Sequence, residues 1–350
     1  MKTVVAYFRE LASQTLGGWN RFWFTPTDPA TLGLIRLLAG AMLLYTHLVW
    51  TLDLEAFFGP DGWLPKSIVG PLREDQFAWS YLWLIESRWL LWAAHLAALV
   101  VFAMLCLGLF SRAVSVAAYF ITVAYANRAV GSLFGLDQIN ALLAMYLMIG
   151  PSGAAFSVDR WLARRRAHGA LAPAAPSVSA NIAIRLIQVH MCIVYLFAGL
   201  SKLQGPSWWD GTAMWIALGN LEYQSLDMTW LVNWPMVIAV LTHVTVFWEV
   251  SYAALVWPRL TRPIVIVLAV PLHLGIAFCL GMVTFGLVML FGNLAFVSPS
   301  LVRAMFDRRS TRAAMSAAAE TTAPARPPRG MRARPTGASV TSSVRGQRTP

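Results

Sequence analysis

Eight long apolar stretches, most of them separated by loops that contain arginine or lysine, restrict the fold of this chain more than any other feature. Each has roughly 15 to 23 residues, close to the roughly 20 that a helix needs to cross a bilayer. Backbone groups in lipid must be satisfied internally, so such stretches are helical. The third, fourth and eighth are short. The stretches are Thr31–Leu52, Trp89–Phe110, Ala113–Asn127, Phe134–Ile149, Ile182–Ser201, Pro235–Trp257, Pro263–Leu280 and Met282–Val297.

The composition supports an all-α, polytopic integral membrane protein with about eight transmembrane helices. Hydrophobic residues make up 58% of the chain and charged residues 12%. A soluble domain has about 45–50% hydrophobic and about 25% charged residues, and a disordered chain is more polar still. Three cysteines in 350 residues exclude a disulfide scaffold.

The distribution of basic residues predicts the orientation in the membrane. If the N-terminus is cytoplasmic, the cytoplasmic segments hold twenty Lys and Arg residues and the opposite segments five, while Arg36 and Arg185 lie within spans. Short cytoplasmic loops are enriched in these residues. We therefore expect a multi-pass protein of the cell membrane with both termini cytoplasmic.

The same patterns divide the chain into three parts. Residues 1–27 predict an interfacial segment with an aromatic belt, and residues 28–302 a transmembrane domain with an inner linker at about 163–180. Residues 303–350 predict a disordered tail, with ten arginines and two acidic residues. A basic tail beside a span favours the lipid bilayer as its partner, and no nucleic acid is expected.

Ionisable residues inside apolar stretches are the first candidates for function, because a charge in lipid is costly. Arg36 and Arg185 lie near span ends, from which they can reach the headgroups, so we favour a structural role for both. Glu249 lies deeper and must be protonated or paired. Arg36 or Arg185 is its expected partner, since both are predicted at a similar depth.

The intramembrane histidines do not form a recognisable metal motif. His47, His95 and His243 are predicted in one half of the membrane, and His190 and His273 nearer its middle. There is no HExxH motif and no cysteine cluster, so no metal site is expected. A single intramembrane histidine is more often an interhelical hydrogen-bonding residue than a ligand or a base.

Lys202 ends a polar stripe on the fifth apolar stretch. Gln188, Cys192, Tyr195 and Gly199 lie on the same side of that helix. One interpretation is that this side faces a cavity or other helices, where desolvation favours a neutral amine that can act as a base. The alternative, given equal weight, is a lysine that reaches the lipid headgroups.

The sequence around Lys202 also resembles a known family. Residues Tyr195–Gly211 are similar to the Y-x-x-A-G-x-x-K-L…W-x-x-G signature of the membrane domain shared by vitamin K-dependent gamma-glutamyl carboxylases and the horizontally transferred transmembrane (HTTM) domain family. Three other segments resemble the same family: Asp28–Arg36, Phe156–Arg160 and the region from Leu272 to Phe296.

This resemblance implies a membrane enzyme that uses reduced vitamin K or menaquinol. In the carboxylases the lysine matching Lys202 is the base that acts on the hydroquinone, and oxygenation then yields a stronger base that removes a gamma-proton from a peptide Glu before CO2 adds. By this likeness, Lys202 and His273 are expected to be catalytic, and Tyr195, Trp209 and Asp210 to bind the cofactor. An exported peptide would be the partner. The carboxylases' histidine before the fourth span has no counterpart between Asn127 and Ile149.

Two other functions remain open from the sequence. One is a non-enzymatic membrane factor for the maturation, export or immunity of a secreted peptide. The other is a small-solute transporter, although no inverted repeat is visible. Bound quinone would favour the enzyme, and solute counterflow the transporter.

Overall fold

The computed structural model describes residues 2–71, 77–168 and 172–306, without the side chains of residues 2 and 3. The all-α prediction is confirmed: within these residues the regular elements are helices, and the only β-type contact is a bridge between Thr27 and Ser177. The helices of the first half are α1 (Lys2–Phe24), α2 (Ala30–Trp50), α3 (Leu54–Phe58), α4 (Lys66–Val69), α5 (Arg88–Leu107), α6 (Ser111–Arg128), α7 (Gly135–Ile149) and α8 (Val158–Arg166).

The second half begins with the longest helix, α9, which carries Lys202 as its last residue. Its helices are α9 (Val178–Lys202), α10 (Pro206–Trp209), α11 (Ala213–Leu218), α12 (Pro235–Leu255), α13 (Arg262–Cys279), α14 (Val283–Asn293) and α15 (Pro299–Phe306). Proline lies in the first turn of both α12 and α13, where a missing N–H leaves no carbonyl unpaired.

Among the described residues, five helices are long and apolar enough to cross a membrane: α2, which continues through Phe58, and α5, α9, α12 and α13. The three stretches that the sequence marks as short are the ones that fall outside this set. They correspond to α6, to the 15-residue α7, and to α14, whose segment Val283–Phe296 bends by 115° into α15. A bent pair counted as one span gives six. Eight spans with cytoplasmic termini therefore stay a prediction.

Apolar packing joins the helices into two groups. In the first group, α2 packs on α5 and α7, and α6 packs on both α5 and α7. In the second group, α9 packs on α12, and α13 packs on α14. Helix α7 contacts α9 and α14, so one apolar core runs from α2 and α7 through to α14. Each group encloses its own cluster of buried polar side chains.

The ends of the predicted transmembrane domain are fixed by polar contacts. The Asn181 amide donates to the Phe22 and Trp23 carbonyls, both at 2.8 Å, and this holds the end of the otherwise exposed α1 against α9. Arg303 forms two hydrogen bonds with Asp28, of 2.7 and 2.8 Å. Helix α15 thus includes the first residues of the predicted tail, while the rest of that tail, from residue 307, lies outside the described residues. The predicted inner linker is helical at both of its ends.

Candidate functional site

A close approach of α9 and α12 creates the site around Lys202. A methyl group on Gly199 would lie 2.9 Å from the backbone nitrogen of Val250 and 2.8 Å from its side chain. Glycine is therefore needed where the two helices touch. Side chains on a helix point back toward its N-terminus, so Lys202 on α9 and Glu249 on the antiparallel α12 reach toward each other.

Lys202 and Glu249 form an ion pair. The Nζ–Oε2 distance is 2.7 Å, and the two side chains are 25% and 9% exposed. The ammonium also lies 5.4 Å from the centre of the Trp208 ring. The expectation that Arg36 or Arg185 would pair with Glu249 is wrong, because the packing of α9 on α12 brings Lys202 to it instead. The site therefore contains a base and an acid within hydrogen-bonding distance.

A second set of polar side chains begins on the same two helices and extends to α13 and α14. The Tyr195 hydroxyl is 2.6 Å from Nε2 of His273, and the Asn293 amide donates to that hydroxyl at 2.7 Å. The Tyr252 hydroxyl in turn donates to Oδ1 of Asn293 at 2.7 Å. All four side chains are at most 3% exposed. One network thus connects α9, α12, α13 and α14.

His273 keeps one ring nitrogen without a protein partner. Its Nδ1 is buried and has no hydrogen bond among the residues that the structure describes. A buried polar atom of this kind is uncommon in folded proteins. Tyr195 precedes Lys202 by seven residues, about 10 Å along α9. The structure therefore brings Lys202, Tyr195 and His273 to one region, and adds Glu249, Asn293 and Tyr252 to it.

Trp209 and Asp210 are not part of this network. Trp209 is 61% exposed, and its indole nitrogen donates to the Leu203 carbonyl. Asp210 is exposed and accepts hydrogen bonds from the hydroxyl and backbone nitrogen of Thr212, which lower the pKa of its carboxyl. These bonds form an Asx turn that leads into α11, whose N-cap is Thr212.

Arg36 lies at the junction of α5, α6 and α8. It is fully buried, and its guanidinium donates to the Leu105 and Cys106 carbonyls of α5 at 2.7 and 3.1 Å. It also donates to the Phe156 carbonyl at 2.5 Å. A helix ends in unpaired carbonyls, which attract a cation. Arg36 therefore closes the end of α5, and it does not extend to the headgroups.

Arg185 is held by side chains near the end of α1. Its guanidinium donates to Oε1 of Gln188 at 2.9 Å. It also lies 4.4 Å from the ring centre of Phe22 and 6.0 Å from that of Trp257. These contacts are the kind that a cation makes with the faces of aromatic rings, so Arg185 helps to attach α1 to the helix bundle.

The first group of helices contains its own polar cluster, which is built from histidine, tyrosine and threonine side chains. Nε2 of His95 lies 2.9 Å from the Thr51 hydroxyl, and Nδ1 lies 2.9 Å from the Tyr125 hydroxyl. His47 lies parallel to the His95 ring and edge-on to the Tyr125 ring, and its Nδ1 is 2.8 Å from the Leu43 carbonyl oxygen. The described residues contain no group of three or more His, Cys, Asp or Glu side chains that could hold a metal ion.

Sequence reasoning missed two of the buried polar residues. Arg128, counted as a loop residue, is fully buried and donates to the Leu64 carbonyl at 2.6 Å. No local pattern distinguishes it from an exposed arginine, since its partner is distant in the sequence. Tyr252 carried no signal of its own, whereas Asn293 was detectable as an amide inside an apolar stretch.

Comparison with known families identifies the fold. The family model of the HTTM domain matches residues 24–300. The protein belongs to the HTTM domain family. The HTTM domain covers the helices from α2 to α14, and so includes the Lys202–Glu249 pair and both polar clusters. No curated protein and no solved structure matches the chain.

Proposed function

We propose that this HTTM protein is a membrane-embedded enzyme that uses a quinol to modify an exported peptide, with Lys202 as the base. The observation that carries the proposal is the Lys202–Glu249 pair, a base and an acid 2.7 Å apart between two apolar helices. A structural ion pair alone is weak support, because burying two charges costs about as much as their attraction returns. The quarter exposure of Lys202 supports a role at an accessible surface.

Glu249 explains how the lysine acts as a base. Transfer of one proton from Nζ to the carboxylate converts the ion pair into a neutral amine and a neutral carboxylic acid. Low-dielectric surroundings favour neutral forms, so the membrane interior reduces the cost of this transfer. The amine can then accept a proton from a bound hydroxyl and become an ammonium again, and the Glu249 carboxylic acid releases its own proton to water or to the product, which restores the ion pair.

The residues around the pair fit a quinol in chemical terms. The Trp208 ring provides an aromatic surface beside Lys202, and the buried Nδ1 of His273 is a polar atom that has no partner in the described structure. When bound, a quinol supplies an acidic hydroxyl and a redox-active ring that reacts with oxygen. His273 and Tyr195 share a hydrogen bond that can hold a proton near the site, while Asn293 and Tyr252 fix its geometry.

The test is turnover of purified protein in detergent, supplied with reduced vitamin K or menaquinol, labelled bicarbonate and a Glu-rich peptide. Quinone epoxide and fixed label are measured separately. Lys202→Arg is the decisive variant: arginine keeps the positive charge beside Glu249 but does not release its proton. We expect Lys202→Arg to keep the thermal midpoint within a few degrees and to lose at least about 100-fold in epoxide formation, the scale of general base catalysis.

A matched control separates folding from chemistry. Glu249→Gln combined with Lys202→Met removes both charges, and so leaves no unpaired charge in the apolar interior. This double variant should fold normally and remain inactive. Epoxide formation by Lys202→Arg at the normal rate, or no turnover of any tested quinol by well-folded protein, would overturn the proposal.

A further inference from the structure

An open cavity of ≈ 250 Å³ lies away from the Lys202 site, next to the turn that leads from α5 into α6. Its walls are the start of α6, the turn at residues 151–154 and α8. Arg112 and Arg160 line it, together with Ser152 and Asp159. Neither arginine has a carboxylate within ion-pair distance among the described residues. The cavity therefore holds two cations without a bound counter-charge.

Asp159 forms no ion pair with these arginines in the described structure, because both of its carboxylate oxygens accept hydrogen bonds from Phe110 and Ser111. Its Oδ1 accepts from the Phe110 backbone at 2.9 Å, and its Oδ2 accepts from the backbone and hydroxyl of Ser111 at 2.8 and 2.7 Å. Partial burial opposes ionisation, but these hydrogen bonds and the nearby Arg36 outweigh it and hold the pKa of Asp159 below its usual range. The positive charge of the buried Arg36 thus stabilises the negative charge of this carboxylate.

The features around the cavity are those expected where a bilayer meets water. Helix α5 is long and apolar enough to span a membrane. It ends at Leu107, and three residues separate it from Ser111, where α6 begins. On α8 beside the cavity, Trp161 is 49% exposed, and the Arg165 guanidinium lies 3.9 Å from the centre of its ring. Tryptophan and arginine in this arrangement are typical of the headgroup region.

We propose that this cavity binds the phosphate group of an anionic phospholipid through Arg112 and Arg160. A guanidinium fork matches two phosphate oxygens. Arg112 provides one such fork, and Arg160, whose Nη2 donates to the Ala172 carbonyl, provides its remaining N–H groups. The cavity is several times larger than the ≈ 30 Å³ that a water molecule occupies, so a phosphate group has room. Basic pockets beside spans are the usual places where acidic headgroups bind.

The experiment measures lipid binding to the full chain in detergent, with phosphatidylglycerol, phosphatidylcholine and inorganic phosphate as probes. The cavity variant is Arg112→Gln with Arg160→Gln. The matched control is Arg164→Gln with Arg165→Gln, which removes the same charge from α8 outside the cavity lining. We expect phosphatidylglycerol to bind more tightly than phosphatidylcholine. The cavity variant should lose at least about 10-fold in this affinity, and the control less than about threefold.

Inorganic phosphate distinguishes the two sources of the same group. Binding of inorganic phosphate that the cavity variant abolishes would show that the site accepts a soluble phosphate as well as a headgroup. Binding of phosphatidylglycerol alone would show that it needs the lipid. An equal loss in the two variants would mean diffuse attraction to α8 and would overturn the proposal, as would the absence of any preference for phosphatidylglycerol.

Discussion

Arg36 and Lys202 are both basic side chains of apolar helices, yet the structure gives them different partners. Arg36 is fully buried, and within the described part of the chain it donates to main-chain carbonyls alone, at the end of α5 and at Phe156. Lys202 is a quarter exposed and pairs with the carboxylate of Glu249. A carbonyl can accept a hydrogen bond but not a proton, whereas a carboxylate can accept both. The partner therefore distinguishes a structural cation from a candidate for proton chemistry.

The two sites also differ in what their side chains require. The three carbonyls around Arg36 match a planar fork with several fixed donors, which arginine has and lysine lacks. Lys202 needs one donor on a flexible stem, and its ability to become neutral is the property that the proposed chemistry uses. Exchanging the two residue types at the two positions therefore tests each role.

The largest expected effect on stability is at Arg36. Arg36→Met leaves three carbonyls without this donor in the apolar interior, and should lower the free energy of unfolding by at least about 3 kcal/mol. Thermal and denaturant unfolding of purified protein in detergent provides the measurement. Arg36→Lys should recover only part of the loss. Wild-type stability in Arg36→Met would contradict a structural role.

The next effect is the coupling between Lys202 and Glu249. Lys202→Met leaves a buried carboxylate unpaired and should cost about 3 kcal/mol, much of which Glu249→Gln should restore in the double variant. A double-mutant cycle on the unfolding free energy measures this coupling directly. Additive single effects would show that the pair is not formed in the folded protein.

A smaller effect is expected in the network beside Lys202. Tyr195→Phe deprives both His273 and Asn293 of a partner, and should destabilise the protein by about 2 kcal/mol. Tyr146→Phe is the matched control, since the one hydrogen-bond partner of that hydroxyl among the described residues is the half-buried His190, at 2.9 Å. This variant should cost less than about 1 kcal/mol. Equal losses in the two variants would remove the distinction between a buried network and a single contact.

The smallest effect is expected where Asp28 joins the start of α2 to Arg303. Partial burial opposes ionisation, but the bonds from Arg303 and the Ala30 backbone outweigh it and lower the pKa of Asp28 below 3.8. A carboxyl with a lowered folded pKa stabilises the protein above its unfolded value, and this contribution disappears as the pH falls through the folded pKa. Asp28→Asn should therefore cost less than about 1 kcal/mol at pH 7, and progressively less as the pH falls below 3.8 and through the folded pKa. A cost independent of pH would contradict the ionised pair.

The sequence by itself determined the class of protein and the identity of several key residues. Apolar stretches long enough to span a bilayer required helices, because that requirement depends only on local composition and length. The motif around Lys202 was sufficient to indicate the HTTM family, which the match over residues 24–300 confirms. The polar stripe that includes Tyr195 and Lys202 was equally visible, since helical periodicity places such residues on one side.

Only the tertiary structure decided which of these residues meet. Glu249 pairs with Lys202 and not with either arginine, Arg128 is buried, and Trp209 and Asp210 lie away from the Tyr195–His273 network. Each of these facts depends on the rotation and depth of one helix against another. Contacts such as that of Gly199 with Val250 fix these variables, and they connect residues about 50 positions apart. Helical periodicity determines the face of a helix on which a residue lies, but packing determines what lies opposite that face.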